Sequence, residues 1–330
     1  MEGLYMQLKG IHHLSAITAD AAANYDFYTK TLGLRLIKKT VNQDDVRVYH
    51  LFYGDEVGSP GTELTFFEIP HAARVHEGNN SISETSLRVA NDAALQFWKK
   101  RFEEYEVEHE EIGERFNRKV LSFKDPEGQR LLLVSDETNK GVAGGVPWDK
   151  SPIPKEFAIL GLGPIKLTVP IINPTAEVLT DVLGFRKVGS YPALVAGQGS
   201  IEVYATGEGG TGAEIHIEKR NDLPPEYLGR GGVHHVAFRV DNEEELQQWI
   251  ERVNYARYAN SGFVDRFFFR SLYFREPNGI LFELATDGPG FATDEELEHL
   301  GESLSLPPFL ESKRTEIEAH LKPLNTTVEE

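Results

Sequence analysis

Gly10-Ile11-His12-His13-Leu14-Ser15-Ala16-Ile17-Thr18 and Gly232-Val233-His234-His235-Val236-Ala237-Phe238-Arg239-Val240 are two copies of one local pattern, a histidine doublet inside an apolar run. Each is followed by an acidic or amide residue and then by a helical pattern. In a strand, successive side chains point to opposite faces, so one histidine of each doublet is expected in any one cavity. Two such strands meeting in space offer that cavity two imidazoles, the commonest protein ligands for transition metals, with two more behind them. A single His–His strand is well explained by chance. Four of the 11 histidines in two matched contexts are not.

Working outward, the run after the first doublet reads as strand 11–18, with Asp20 as a helix N-cap. A short amphipathic helix follows over Ala21–Thr31 and stops near Gly33, and three strands then cover Leu34–Val41, Val46–Tyr53 and Glu63–Ile69. The order strand, helix, three strands recurs. A second copy opens with Ser83–Val89, has its helix at Asp92–Glu104 and ends with Gln129–Val134. A third opens with Gly163–Val169, has its helix at Pro174–Leu183 and ends with Ala213–Glu218. The fourth starts with the second doublet, has its helix at Asn242–Val253 and ends with Ile280–Leu284. This predicts an α+β fold of four βαβββ modules, at 8–70, 82–136, 158–219 and 231–287. The Gly/Pro-rich stretch 137–157 is the expected linker between an N-terminal pair (8–136) and a C-terminal pair (158–287). A helical tail is expected over 288–330, interrupted by Leu304-Ser305-Leu306-Pro307-Pro308.

Composition limits the function classes. At 330 residues the chain has room for two domains, and its 40% hydrophobic and 26% charged content is that of an ordinary globular protein. No apolar run approaches a membrane span, and Met1–Lys9 lacks the pattern of a secretory signal. With no cysteine there is no disulfide framework, zinc–thiolate site or cysteine nucleophile, which suits the cytoplasm. A net charge of −18 argues against a nucleic-acid partner.

Superimposing the modules locates the candidate ligands. His13 and His235 coincide, while the second module offers Glu84 and the third Pro164. Four residues past the glycine that opens each last strand stand Thr65, Leu132, His216 and Glu283 in modules one to four. Modules one and four together therefore supply two histidines and a carboxylate, and share the expected site. Glu84 is expected as a solvated charge and His216 as structural. Phe67-Glu68-Ile69 resembles Phe282-Glu283-Leu284, so Glu68 competes with Thr65 as the counterpart of Glu283. Two imidazoles and a carboxylate with open positions suit non-haem Fe(2+) and O2; Mn(2+) fits the same set, and zinc would make the site hydrolytic.

The doublets, Lys38-Lys39-Thr40-Val41-Asn42, Tyr49-His50-Leu51-Phe52-Tyr53-Gly54-Asp55, Pro60-Gly61-Thr62 and above all the run Asp265–Asp287 resemble the vicinal oxygen chelate (glyoxalase/bleomycin resistance/dioxygenase) superfamily. More narrowly, the chain is similar to its hydroquinone-type ring-cleaving dioxygenases, including the bacillar Mhq-type proteins. The resemblance implies two vicinal-oxygen-chelate domains, His13, His235 and Glu283 as iron ligands, and Arg266 and Tyr273 beside the substrate. It places His12, His234 and Ser15 just behind the ligands. It further implies a small aromatic substrate and O2 as partners, and is compatible with a homo-oligomer. In catechol-cleaving relatives of the usual layout the first histidine comes from module three, where this chain has Pro164.

The turn Pro277–Gly279 closes a hairpin of Leu272–Arg275 with Ile280–Leu284. A three-residue loop sets Tyr273 opposite Glu283. Arg266, seven residues earlier, requires a bend to reach the same face. In the expected reaction a hydroquinone binds through one phenolic oxygen, and His12 or His234 accepts and returns its proton. Arg266 and Tyr273 stabilise the oxygen charge. A glyoxalase I-like isomerase would need a second carboxylate where Thr65 stands, and a non-catalytic drug-binding protein would not need three ligands in register.

Overall fold

The computed structural model describes residues 6–328. Module one runs β1 (Ile11–Thr18), α1 (Ala21–Asp26), β2 (Arg35–Asn42), β3 (Asp45–Gly54) and β4 (Glu63–Glu68). Module two runs β5 (Ser81–Val89), α2 (Asp92–Glu104), β6 (Gly113–Arg115), β7 (Arg118–Lys124) and β8 (Arg130–Ser135). Module three runs β9 (Ile159–Val169), α3 (Ile172–Glu177), β10 (Arg186–Pro192), β11 (Ser200–Ala205) and β12 (Glu214–Lys219). Module four runs β13 (Val233–Val240), α4 (Glu243–Tyr255), β14 (Val264–Asp265), β15 (Phe269–Arg275) and β16 (Leu281–Pro289).

Hydrogen bonding joins the modules in a crossed way. One eight-stranded sheet has the order β14-β15-β16-β13-β1-β4-β3-β2, and the other β10-β11-β12-β9-β5-β8-β7-β6. Modules one and four thus share one sheet, and modules two and three the other. β1 pairs antiparallel with β13 and parallel with β4, and all eight of its residues are buried. A strand covered on both faces reads as a continuous apolar run, which is why the first doublet is embedded in one. Leu14 and Ala16 enter the core beneath the helices with Tyr28, Phe66, Phe238 and Trp249. His13, Ser15 and Ile17 face the concave side.

Local chemistry sets the helix limits. The Asp20 carboxylate accepts the Ala23 N–H at 3.0 Å, and the side chains of Asn91 and Asn242 cap α2 and α4 in the same way. α1 and α3 each end in a widened turn, Phe27–Thr31 and Val178–Val182, before Gly33 and Gly184 at φ +73°. That left-handed geometry suits glycine.

The tail is helical only in part, in two short 3-10 turns (Phe291–Thr293 and Leu297–His299) and in α5 (Pro308–Glu311) and α6 (Arg314–His320). Gly301 at φ +78° and the Pro307-Pro308 pair break any longer run. The tail instead lies against β2 and β3: Lys39 Nζ donates to the Leu324 carbonyl and Tyr49 O–H to that of Lys322. Lys38, fully buried, pairs with Asp294 at 2.8 Å and with Glu295. No helix among the described residues is long and apolar enough to cross a membrane.

Candidate metal centre

The strand registers decide which carboxylate belongs with the histidines. Two residues past His235, Ala237 pairs with Glu283; two past His13, Ser15 pairs with Thr65. The same offset gives Ser86 with Leu132 and Lys166 with His216. Thr65, not Glu68, is therefore the counterpart of Glu283. Glu68 turns away and accepts the Ala21 N–H at the start of α1 at 2.9 Å.

His13 on β1, His235 on β13 and Glu283 on β16 converge. Their side chains are 2%, 5% and 0% exposed. Glu283 Oε2 lies 2.9 Å from His13 Nε2 and 2.8 Å from His235 Nε2, and the two nitrogens are 3.2 Å apart. Glu283 Oε1 accepts the Ser271 O–H at 2.6 Å, whereas Oε2 has no well-formed hydrogen bond.

The outer histidines explain what these atoms present to one another. His12 Nε2 lies 2.9 Å from the Thr286 carbonyl and so carries the proton. His12 Nδ1 lies 2.9 Å from His13 Nδ1 and 3.3 Å from Glu63 Oε2; burial lowers the pKa of the ring, but Glu63 outweighs it and the net shift is upward. Where His12 is neutral its Nδ1 accepts, so His13 donates there and turns a lone pair at Nε2 toward Glu283. His234 and His235 also have their Nδ1 atoms 2.8 Å apart, but no carbonyl fixes the proton of His234. Burial pushes His13 down to about 4 against the opposing pull of Glu283, and the two histidines hold the Glu283 carboxylate well below its ordinary range despite burial. Two imidazole lone pairs and a carboxylate oxygen at this spacing repel unless a cation lies among them. The donor set fits a divalent metal ion with its orienting partners in place.

One proton-carrier assignment changes. His12 is 1% exposed, sits behind His13 with both nitrogens engaged, and does not border the cavity, so it cannot exchange a proton with substrate. His234 does border the cavity, although strict alternation would turn it away. The ladder between β1 and β13 shifts register at both outer histidines, and such bulges re-aim side chains. With its Nδ1 taken by His235, His234 turns its Nε2 to the cavity, and where His235 donates between the two rings that Nε2 carries the proton. Burial, then His235, pushes the His234 pKa down to about 4.

The cavity beside His13, His235 and Glu283 has a volume of about 420 Å3. Phe52, Phe67, Phe268, Phe269 and Ile17 form apolar walls. Tyr273 pairs with Glu283 across β15 and β16, the register that the three-residue loop predicts. Arg266 reaches it past a bend at Phe267, whose φ of +73° is unusual for a bulky residue. Arg266 donates from Nε to the Tyr273 hydroxyl at 3.0 Å and pairs with Asp44 at 3.1 Å. The phenol's own proton stays free for a ligand, and burial, then Glu283, raises its pKa. Ser15 borders the cavity and shares a 2.7 Å hydrogen bond with Thr65. Sequence reading missed Ser271, His50 and Thr40. Ser271 shares the strand face of Tyr273, and His50 that of Phe52; alternation alone points to both.

The equivalent position in the second sheet is filled. Glu84 is not a solvated charge: it pairs with Arg115. His216 lies 2.9 Å from both Glu214 and the Tyr191 hydroxyl, and Arg118 grips Glu214 with two bonds of 2.7 Å. The space left is about 20 Å3.

Residues 10–133 and 161–284 each match the model of the Glyoxalase/Bleomycin resistance protein/Dioxygenase superfamily. The chain belongs to that superfamily. Within it, the chain is 57% identical over 319 residues to MhqA of Bacillus subtilis (strain 168), which carries the name of a ring-cleaving dioxygenase; the match covers 97% of this chain and 100% of that protein. It is 32% identical to a chlorohydroquinone/hydroquinone 1,2-dioxygenase of Sphingobium indicum, covering 94% of this chain and 95% of that one. A crystal structure from Bacillus subtilis, described as a dioxygenase, superposes with a TM-score of 0.87 at 36% identity, over 97% of this chain and 98% of that one. Glyoxalase I from Zea mays shares the superfamily fold at 12% identity, with a TM-score of 0.61 over 84% of this chain and 92% of that one.

Proposed function

We propose that the protein is a cytoplasmic, Fe(II)-dependent ring-cleaving dioxygenase that uses O2 to open hydroquinone-type aromatic rings. The observation that carries this reading is the convergence of His13 Nε2, His235 Nε2 and the unpartnered Glu283 Oε2 beside an aromatic-lined cavity. The names of the relatives support the reaction class. When bound, ferrous iron supplies open coordination positions and the electron transfer that couples an electron-rich ring to dioxygen.

The chain's own residues do the rest. Phe52, Phe67, Phe268 and Phe269 hold the ring flat and exclude water. The Tyr273 O–H, held by Arg266, donates to the phenolic oxygen, and the guanidinium faces negative charge that develops there. Where it carries the proton, His234 Nε2 offers a further donor to oxygen that gains charge. Ser271, His12 and His234 fix the orientation of the three ligands. An isomerase of the glyoxalase I kind would need a carboxylate at the Thr65 position.

The test is O2 uptake by protein reconstituted anaerobically with Fe(II), using hydroquinone, catechol and the methylglyoxal–glutathione adduct. Iron-dependent uptake with hydroquinone is expected. Metal-dependent loss of the glutathione adduct without O2 uptake would overturn the reading.

A further inference from the structure

Two polar groups in the cavity have no part in the chemistry above. His50 on β3 is held between Phe52 and Phe67, its ring 4.1 Å from each. Its Nε2 is tied to Thr65 Oγ1 at 2.9 Å, and Thr65 in turn to Ser15. Its Nδ1 has no protein partner among the described residues. Thr40, directly opposite on β2, is 3% exposed and borders the same cavity. Its hydroxyl is buried without a hydrogen-bond partner. A buried hydroxyl left unpaired costs about 1–3 kcal/mol, so such a group at a cavity wall marks a place where a ligand supplies the missing partner.

We propose that His50 and Thr40 form the subsite that recognises the second, distal hydroxyl of a 1,4-dihydroxyaromatic substrate. This rests on the proposed function and names the feature of the substrate that the cavity reads. The sheet order places the two ends of the ring. The ligands stand on β1, β13 and β16 with Tyr273 opposite Glu283 on β15, while Arg266 reaches across the cavity to Asp44 in the turn between β2 and β3, because the sheet curls around it. His50 lies to the other side, two strands from β1, a distance of about 10 Å along the sheet. A ring held by one oxygen at the ligands, and by Tyr273 at that same oxygen, extends its para position toward β3. With Nε2 held by Thr65, neutral His50 offers Nδ1 as a single donor or acceptor, and the Thr40 hydroxyl supplies the complementary role to a ligand hydroxyl. Burial, then His13, His235 and Arg266, keeps His50 neutral. A second hydroxyl next to the first, as in catechol, stays near the ligands and leaves His50 and Thr40 unpaired.

The experiment compares anaerobic binding of hydroquinone and phenol to the Fe(II)-loaded protein by titration calorimetry, with iron content measured in parallel. One neutral hydrogen bond predicts about a tenfold preference for hydroquinone in the parent protein. His50→Phe should bring the ratio close to one with iron retained, and His50→Gln should keep most of the preference. Thr40→Val, nearly isosteric, should reduce it independently. Equal affinity for the two ligands in the parent, or an undiminished preference in both His50→Phe and Thr40→Val, would overturn the subsite. Failure of the parent to bind either ring would contradict the proposed function as well, so the two failures are distinct.

Discussion

Thr65 occupies in the first module the position that Glu283 occupies in the fourth, each paired with the residue two places beyond an inner histidine. The candidate centre therefore has one carboxylate. Where its pseudosymmetric partner would stand, a threonine hydroxyl bonds Ser15 and His50. The carboxylate next along β4, Glu63, pairs instead with His12 at 3.3 Å.

The three ligands should be indispensable for metal and dispensable for folding. Alanine at His13, His235 or Glu283 should abolish iron retention, measured by elemental analysis after desalting, while the circular dichroism spectrum is kept. Ser271→Ala removes the hydrogen bond that orients Glu283 and should weaken iron binding by about 10–100-fold in chelator competition. Unchanged affinity would show that Ser271 does not position the carboxylate.

Arg266 is held by Tyr273 on one side and Asp44 on the other. Arg266→Ala should keep iron and lower kcat by about 10²–10³-fold, the cost of losing a charge-stabilising donor. Lysine should not rescue it, because one ammonium does not reproduce the forked donor. Wild-type kinetics in Arg266→Ala would return Arg266 to a purely structural ion pair, and in the lysine variant would show that charge alone suffices.

The site should also shape the acid stability of the metal-free protein. His234 has a folded pKa of about 4, below the ordinary 6.5 of an unfolded histidine. Between those values the unfolded chain binds the proton and the native ring does not, so stability falls as pH drops from 6.5 toward 4. Asp125 and Glu226, pushed up to about 6 and about 7 by burial, run the other way, losing stability as pH rises. The informative quantity is thus the difference between variant and parent. The melting temperature of His234→Gln should fall less than that of the parent between pH 6.5 and 4; parallel curves would contradict a buried neutral His234.

The tail contributes stability through charge. Lys38 has no exposed side-chain surface, and its partners Asp294 and Glu295 both come from the tail. Its Nζ also lies 5.0 Å from the Phe268 ring at the cavity wall. Replacing both acids by their amides leaves a buried cation without a counter-charge and should cost about 3–5 kcal/mol in chemical denaturation. A loss below about 1 kcal/mol would mean that Lys38 finds water instead.

Much of this was legible in the sequence because its signals are periodic. Four repeats with capped helices gave the module order, and the glycine that opens each last strand gave the offset at which Thr65, Leu132, His216 and Glu283 fall. The loop length before Ile280 gave the register of Tyr273 against Glu283. Contacts made through irregular backbone were not legible. The register shifts at His12 and His234 break simple alternation, so the separate fates of the two outer histidines appear only in three dimensions. Glu84 looked solvated because its partner Arg115 is 31 residues away on a short strand. The tail's charges read as a helical surface because nothing local marks Lys38 as buried.

The most direct test is turnover of hydroquinone by the Fe(II)-loaded protein under isotopically labelled dioxygen, with the product analysed at once by mass spectrometry. Ring cleavage at this centre predicts a ring-opened product carrying both labelled oxygen atoms, formed only with iron and lost in Glu283→Ala. Oxidation of hydroquinone to unlabelled quinone, or no conversion by protein that holds both iron and substrate, would contradict it.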